Sequence, residues 1–317
     1  MFNSSLFFNS LRGIKVIIKL FKTKNLNAYI NLALCILLWA SIPVATKKIL
    51  VELDTLQMLF YSTVLSTLVL GLMLIFQKKT VDLKIYNKSQ YSSMFFLGFL
   101  GNYMYYIFLY GALSKTTASE GFILTYTWPM LVLILSFVIL KDKVTVQKLV
   151  GILISFLGII IITTKGNIST FNLTNLQGDI LALSGAFVFA LFSVLGKKFN
   201  FDKTISVFIC FLSALIFIIP TVLSFSKIVF PSFDVWLWII YNGIFVNGIS
   251  YIFWFKALEG GETHIVSNLL YLTPFISLIY ISIFLNERIL ISAVVGIAVI
   301  VLGVLSQYVK INKYKGA

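Results

Sequence analysis

Ten stretches of about twenty apolar residues follow one another along this chain, and that spacing leaves few folds open. At 1.5 Å of rise per residue, a helix needs about 20 such residues to cross roughly 30 Å of hydrocarbon. The stretches run from Asn31 to Lys48, Thr55 to Phe76, Tyr91 to Ala112, Ala118 to Leu140 and Val146 to Thr164. Five more run from Asp179 to Lys197, Lys203 to Phe225, Asp234 to Phe255, Glu262 to Leu285 and Ile289 to Tyr308. Only 11% of the 317 residues are charged, against about 25% in a soluble domain. So few charges cannot clothe a water-soluble protein of this size. Backbone in hydrocarbon must satisfy its own hydrogen bonds, so the sequence predicts an all-α integral membrane protein with ten transmembrane helices. The third and eighth stretches are the most polar.

The net charge of +14 would suggest nucleic acid in a soluble protein; here it reads as a topology signal. With the N-terminus inside and ten crossings, nineteen of the 25 basic residues fall in cytoplasmic segments and six outside. Both termini are therefore expected in the cytoplasm of a multi-pass plasma-membrane protein, in a bacterium the inner membrane. Residues 1–27 form a basic arm in which Arg12, Lys15, Lys19 and Lys22 lie opposite Ile14, Ile17, Ile18 and Phe21. Such an amphipathic helix suits the surface of an anionic leaflet. Along the sequence lysines interrupt the apolar stretch, which argues against a cleaved signal peptide. Residues 310–317 form a basic tail. Cys35 and Cys210 sit inside apolar runs and read as buried, inert thiols. A single histidine, His264, excludes a His-rich metal centre. No metal, cofactor or nucleic-acid partner is expected; monomer and homodimer both stay open.

The chain also resembles itself. Shifted by 145 residues, Gly98–Gly158 aligns without a gap on Gly243–Gly303, with about 18 of 61 positions identical. The pairs include Gly98 with Gly243, Asn102 with Asn247, Tyr106 with Tyr251, Tyr126 with Tyr271, Pro129 with Pro274 and Gly158 with Gly303. Apolar composition does not account for matched Asn, Tyr, Pro and Gly. An offset near 150 pairs Trp39-Ala40 with Phe189-Ala190 and Lys47-Lys48 with Lys197-Lys198. This divides the chain into two five-helix repeats, 28–164 and 179–309, joined by an external linker, 165–178. Five is odd, so the halves are expected to enter the membrane in opposite directions. Inverted halves can exchange conformations and so open a midplane site to either side in turn. An enzyme or receptor gains nothing from this, and HExxH, paired membrane aspartates, a Ser-His combination and a Walker A sequence are all missing from the sequence. The reading is a secondary transporter and not an enzyme.

Three segments carry a likeness to a known family. They are LLWASIPVATK from Leu37 to Lys47, and the two fourth-helix segments with their Tyr/Pro pairs, each followed by an acidic-basic pair and a Gly-containing helix. The pairs are Asp142-Lys143 and Glu287-Arg288. Together they resemble the ten-helix EamA-like branch of the drug/metabolite transporter superfamily. That resemblance implies a central cavity between the halves, lined by the first, third and fourth helices of each. Tyr126-Thr127-Trp128-Pro129 is similar to the Tyr-x-Trp-Pro of aromatic amino-acid exporters. It implies amino acids or related metabolites as substrate, moved outward, with an uptake permease or facilitator for another metabolite as the alternative.

Polar groups in those helices should turn away from lipid, towards a partner or water. Asn102 and Asn247 lead the candidates because an amide both donates and accepts. Helix–helix hydrogen bonding is an equally good account of them. Tyr106 and Tyr251 follow four residues later on the same helical face, as substrate contacts or packed aromatics. Tyr126 and Tyr271 precede Pro129 and Pro274 by three residues; a proline frees a carbonyl one turn back, and kinking alone also explains it. Asn268 joins this face, with Thr125 as a weaker member. Trp39, with Ser41 and Pro43 near it, is placed to stack on a substrate or to pack the core; Trp128 and Trp254 pose the same choice. For coupling or gating the sequence offers Glu120, one turn from a helix end, and His264 beside Glu262. No acid lies deep in a run, so proton coupling through a buried carboxylate is not supported; a facilitator or an exchanger, with proton or substrate counter-transport, stays open.

Overall fold

The computed structural model describes residues 26–113, 115, 124–143, 145–164, 166–167, 169, 175–199, 201–285 and 291–306. Residues 1–25 of the basic arm, the tail 310–317, Glu120, Glu287 and Arg288 lie outside them. Among the described residues there is no strand, only helix and short connections. In chain order these are α1 (Leu26–Ala40), α2 (Ile42–Ile49), α3 (Thr55–Phe76), α4 (Lys88–Gly98), α5 (Tyr105–Leu113), α6 (Trp128–Leu135) and α7 (Val146–Thr163). Then follow α8 (Leu176–Lys198), α9 (Lys203–Phe225), α10 (Phe233–Tyr241), α11 (Ser250–Gly260), α12 (Thr263–Leu269), α13 (Thr273–Leu285) and α14 (Ile291–Ser306).

Several of these are parts of one longer rod. A π-helical segment, Phe99–Met104, joins α4 to α5, and another, Asn242–Ile249, joins α10 to α11. Among the described residues, six continuous helical segments are long and apolar enough to cross a membrane: Leu26–Ile49, Thr55–Phe76, Leu176–Lys198, Lys203–Phe225, Phe233–Gly260 and Ile265–Phe284. Shorter apolar helices cover Trp128–Leu140, Val146–Ile161 and Val294–Gly303. The third stretch is helical from Lys88 but opens on Lys88, Ser89 and Gln90, which lowers its hydropathy. Large apolar side chains crowd the outer surface, among them Leu68, Leu72, Ile75 and Phe76 on α3 and Ile216, Ile219 and Leu223 on α9. An aqueous protein does not display apolar surface on this scale, so these faces belong against lipid.

Helix packing comes in matched pairs. The first helix α1 lies on α11, and α8 lies on α5. Likewise α13 packs on α1 and α6 on α8. The closest approaches repeat at the offset seen in the sequence. A Cβ added at Gly98 would lie 2.2 Å from the carbonyl oxygen of Cys210, and one at Gly243 would lie 2.7 Å from Cβ of Leu65. Leu65 and Cys210 are themselves 145 apart. Where α7 meets α14, a Cβ at Gly158 would meet the Gly296 carbonyl at 2.6 Å, and one at Gly303 the Gly151 carbonyl at 2.6 Å. Small residues let two backbones touch where hydrocarbon offers no other drive to association.

The antiparallel pair α3 and α9 is tied at both ends by the aspartates that begin each helix. Asp54 caps Leu56 and Gln57, and Asp202 caps Thr204 and Ile205, satisfying amides the helix leaves open. Each aspartate then reaches past the far end of its neighbour. Asp54 accepts from the Ser226 hydroxyl, and Asp202 pairs with Lys79 at 2.5 Å. Burial pushes the Asp202 carboxyl up, but the hydrogen bond from Lys79, the amides it caps and the lysine charge hold it below its ordinary value. A carboxylate held low stabilises the fold above its unfolded pKa, about 3.9, and that contribution is lost as pH falls through the lower folded value. Asp202→Asn is therefore expected to lower the thermal midpoint at pH 7, with the gap to wild type closing at pH 3. A gap that stays the same at both pH values would show that the carboxylate charge does not hold this end.

Candidate functional site

Both candidate asparagines sit on the two π-helical segments, at the middle of their rods. A π turn inserts one residue into the helical register and redirects the side chains around it; such turns are frequent at functional sites. A serine from the facing helix bonds the second segment itself, and another bonds α4 one turn before the first. Ser66 on α3 donates to the carbonyl of Gly243, and Ser213 on α9 donates to the carbonyl of Phe95, both at 2.7 Å. Asn242 Nδ2 adds a 2.9 Å bond to Ser62 Oγ.

From the π segments a polar chain crosses between the two halves. Tyr106 Oη donates to Asn247 Oδ1 at 3.0 Å, and Tyr251 Oη donates to Tyr106 Oη at 3.2 Å. All three residues are buried. Asn247 Nδ2 is left without a partner among the described residues, and Asn102, fully buried, has neither amide atom satisfied among them. Leaving a buried polar group unmade costs about 1–3 kcal/mol.

The remaining candidates collect at helix breaks. Ser41 interrupts the first rod between α1 and α2, one residue before Ile42-Pro43, and its Oγ contacts both the Leu38 carbonyl at 2.6 Å and Tyr241 Oη at 2.8 Å. Tyr126 falls in a turn just before α6, where Pro129 is the second residue. Tyr271 falls in the 3₁₀ turn Leu270–Leu272 before α13, where Pro274 is the second residue. Tyr126 lies beside Thr273, and Tyr271 beside the main chain at Met130, so the two breaks face each other. Asn268 is fully buried on α12 with both amide atoms unpartnered among the described residues, and buried Thr125 has its hydroxyl in the same state.

Trp39 lies in an aromatic cluster with Trp128, Phe189, Tyr251 and Trp254, at centroid distances of 5.6–6.2 Å. Its Nε1 donates to Ser250 Oγ at 2.7 Å, and Trp254 Nε1 donates to Ser193 Oγ at 3.1 Å. The cluster belongs to the main buried core, which also holds Tyr106. Among the described residues, three clefts are lined by residues that include Lys79, Asp142, Lys197 and Lys256. Glu120 lies outside the described residues, as does the side chain of His264. Sequence reading passed over Ser62, Ser66, Ser193, Ser213 and Ser250, because a serine in an apolar run carries no signal of its own. It also passed over Asp179, a buried carboxylate in the first turn of α8. Ser66 and Ser213, at nearly the repeat offset, were the one clue available.

Comparison with known proteins places this geometry. The profile of the EamA-like transporter family matches twice, over residues 26–164 and 176–308. An uncharacterized transporter of Archaeoglobus fulgidus is 29% identical over 268 residues, spanning 83% of this chain and 91% of its own. The aromatic amino acid exporter YddG of Ancylobacter novellus is 22% identical over 182 residues, 57% of this chain and 63% of that protein. A solved crystal structure shares the fold with a TM-score of 0.77 at 18% identity, over 88% of this chain and 95% of its own.

Proposed function

The chain belongs to the EamA-like transporter family, and from its geometry we propose that it is a secondary transporter moving amino acids or related small metabolites outward by alternating access. That it is a multi-pass membrane transporter follows from the family and the apolar helices. The observation that carries the finer reading is the reciprocity of contact across the molecule. Gly98 against Cys210 mirrors Gly243 against Leu65, and Gly158 against Gly296 mirrors Gly303 against Gly151. Matched contacts of this kind are what two inverted five-helix repeats, crossing ten times, make when they pack about a two-fold axis. Exchanging the conformations of two such halves moves the opening from one face to the other. The buried chain Tyr251–Tyr106–Asn247, together with the buried amides of Asn102 and Asn268, is the set that exchange would expose to a solute. The set is rich in amides and hydroxyls, which suits a zwitterion.

The amino-acid class and the outward direction rest on the Tyr126-Thr127-Trp128-Pro129 segment and on the distant likeness to an exporter named for aromatic amino acids. Both termini in the cytoplasm and a place in the bacterial inner membrane rest on the lysine and arginine distribution. The exchange needs no cofactor; a proton or a second substrate molecule serves as counter-ion, and a monomer suffices because both halves lie in one chain. The deciding experiment is flux of labelled amino acids through proteoliposomes of known orientation. Saturable movement of at least one, faster from the cytoplasmic face, is the expected result. Absence of movement for every amino acid would remove the substrate class, and faster movement inward would favour an uptake permease.

A further inference from the structure

A cleft lined by charges of both signs lies at the end of the bundle where α8 finishes and α12 begins. A cleft of about 190 Å³ there is bordered by Asp142, Lys143, Lys148, Lys197, Glu262 and Thr263. They come from four places: the segment that follows α6 and its π turn (Ser136–Leu140), the first turn of α7, the last turn of α8, and the start of α12. Lys197 Nζ donates to Thr263 Oγ1 at 2.5 Å, and Thr263 Oγ1 donates to Asp142 Oδ2 at 3.2 Å. The threonine hydroxyl thus stands between a half-buried ammonium and a carboxylate.

From this cleft a polar line runs inward along the same segment. Ser267 and Asn268 lie one turn beyond Thr263, both fully buried, and the Ser267 hydroxyl and both Asn268 amide atoms have no partner among the described residues. Tyr271 follows a turn later. In the first half Ala118, Phe122 and Ile123 stand in place of Thr263, Ser267 and Asn268, and only Tyr271 has its match, in Tyr126. An unsymmetrical feature in an otherwise repeated chain marks a face with its own task.

We propose that this cleft is a capture site for zwitterionic solutes, in which Lys197 takes the carboxylate and Asp142 takes the ammonium, displacing Thr263 from between them. A solute of this kind carries both charges that the Thr263 bridge now keeps apart. Its arrival releases the contact that ties α12 to α8, and it faces the polar line leading inward. The proposal rests on the transporter reading above, with this end at the cytoplasm.

Equilibrium binding to the full chain in lipid nanodiscs tests it. The twenty natural L-amino acids are titrated, followed, for any that binds, by its decarboxylated amine and by the acid lacking the amine. The amine is expected to bind at least tenfold more weakly than the parent. Lys197→Gln should weaken the parent about tenfold and Lys197→Arg should restore it, while Asp142→Asn should weaken the parent and spare the amine-free acid. Should Lys197→Gln fail to fold, Asp142→Asn and the amine comparison still decide. Equal binding of amine and parent, unchanged affinity in the charge variants, or no binding of any amino acid overturns the capture site. Flux measured in parallel separates the two readings: a chain that still moves amino acids with Lys197→Gln binding unchanged remains a transporter without this site.

Discussion

Valine in place of Gly98 is expected to leave almost no folded protein in the membrane, and valine in place of Gly243 to do the same. At Gly98 even a Cβ would lie 2.2 Å from the Cys210 carbonyl oxygen and 2.5 Å from its Cα. Both atoms are backbone in the middle of α9, so no rotamer change relieves the overlap. Overpacking a good core costs about 1–3 kcal/mol even when side chains can move aside. Here α4 and α9 must separate, and with them goes the Ser213 bond to the Phe95 carbonyl on α4. The control is Gly71→Ala, whose Cβ would stand 3.2 Å from the edge of the Phe208 ring, a side chain able to tilt. Fluorescence-detected size exclusion of tagged protein reads the outcome. A sharp wild-type peak for Gly98→Val would mean that the close approach of α4 and α9 is not required.

Transport should fall at least tenfold when Asn102 and Asn247 are both replaced by alanine, with the protein still folded. Asn102 makes no hydrogen bond among the described residues, so removing its amide relieves a buried group rather than breaking a contact. A purely structural asparagine would behave in the opposite way. Asn247→Ala does break one bond, from Tyr106, and leaves that buried hydroxyl without its acceptor at a cost of about 1–3 kcal/mol. Tyr106→Phe supplies the comparison. It leaves Asn247 Oδ1 and Tyr251 Oη unmet and should lower the thermal midpoint, whereas Asn102→Ala should leave it level or raise it. Flux in proteoliposomes, set beside thermal unfolding of each variant, separates function from stability. If flux survives the double replacement, or falls only in step with stability, these amides are not part of the solute path.

The candidate list drawn from the repeat proved informative about place and silent about partnership. Asn102 and Asn247 stood out because composition does not explain paired asparagines, and both lie on π segments. Nothing in the sequence distinguishes a π turn from an α-helix there, because one inserted residue hardly alters a twenty-residue hydropathy pattern. The prolines showed where helices break, at Ser41, Tyr126 and Tyr271, since a missing amide is a local property of the chain. Trp39 was open between stacking on a solute and packing; the fold surrounds it with four aromatic rings and occupies its Nε1 with Ser250.

What the sequence determined by itself was the helical, membrane-spanning class, the pairing of residues at a 145-residue offset, and the identity of the polar groups that must turn from lipid. Each of these depends on local chemistry: the length and hydropathy of a window, or identity at a fixed spacing. Only the tertiary structure decided which groups meet. Tyr106 finds Asn247 across 141 residues of sequence, and Thr263 is set between Lys197 and Asp142, 66 and 121 residues away. Such contacts arise from how whole helices pack, through backbone approaches that only glycine permits, and no window of sequence contains both partners.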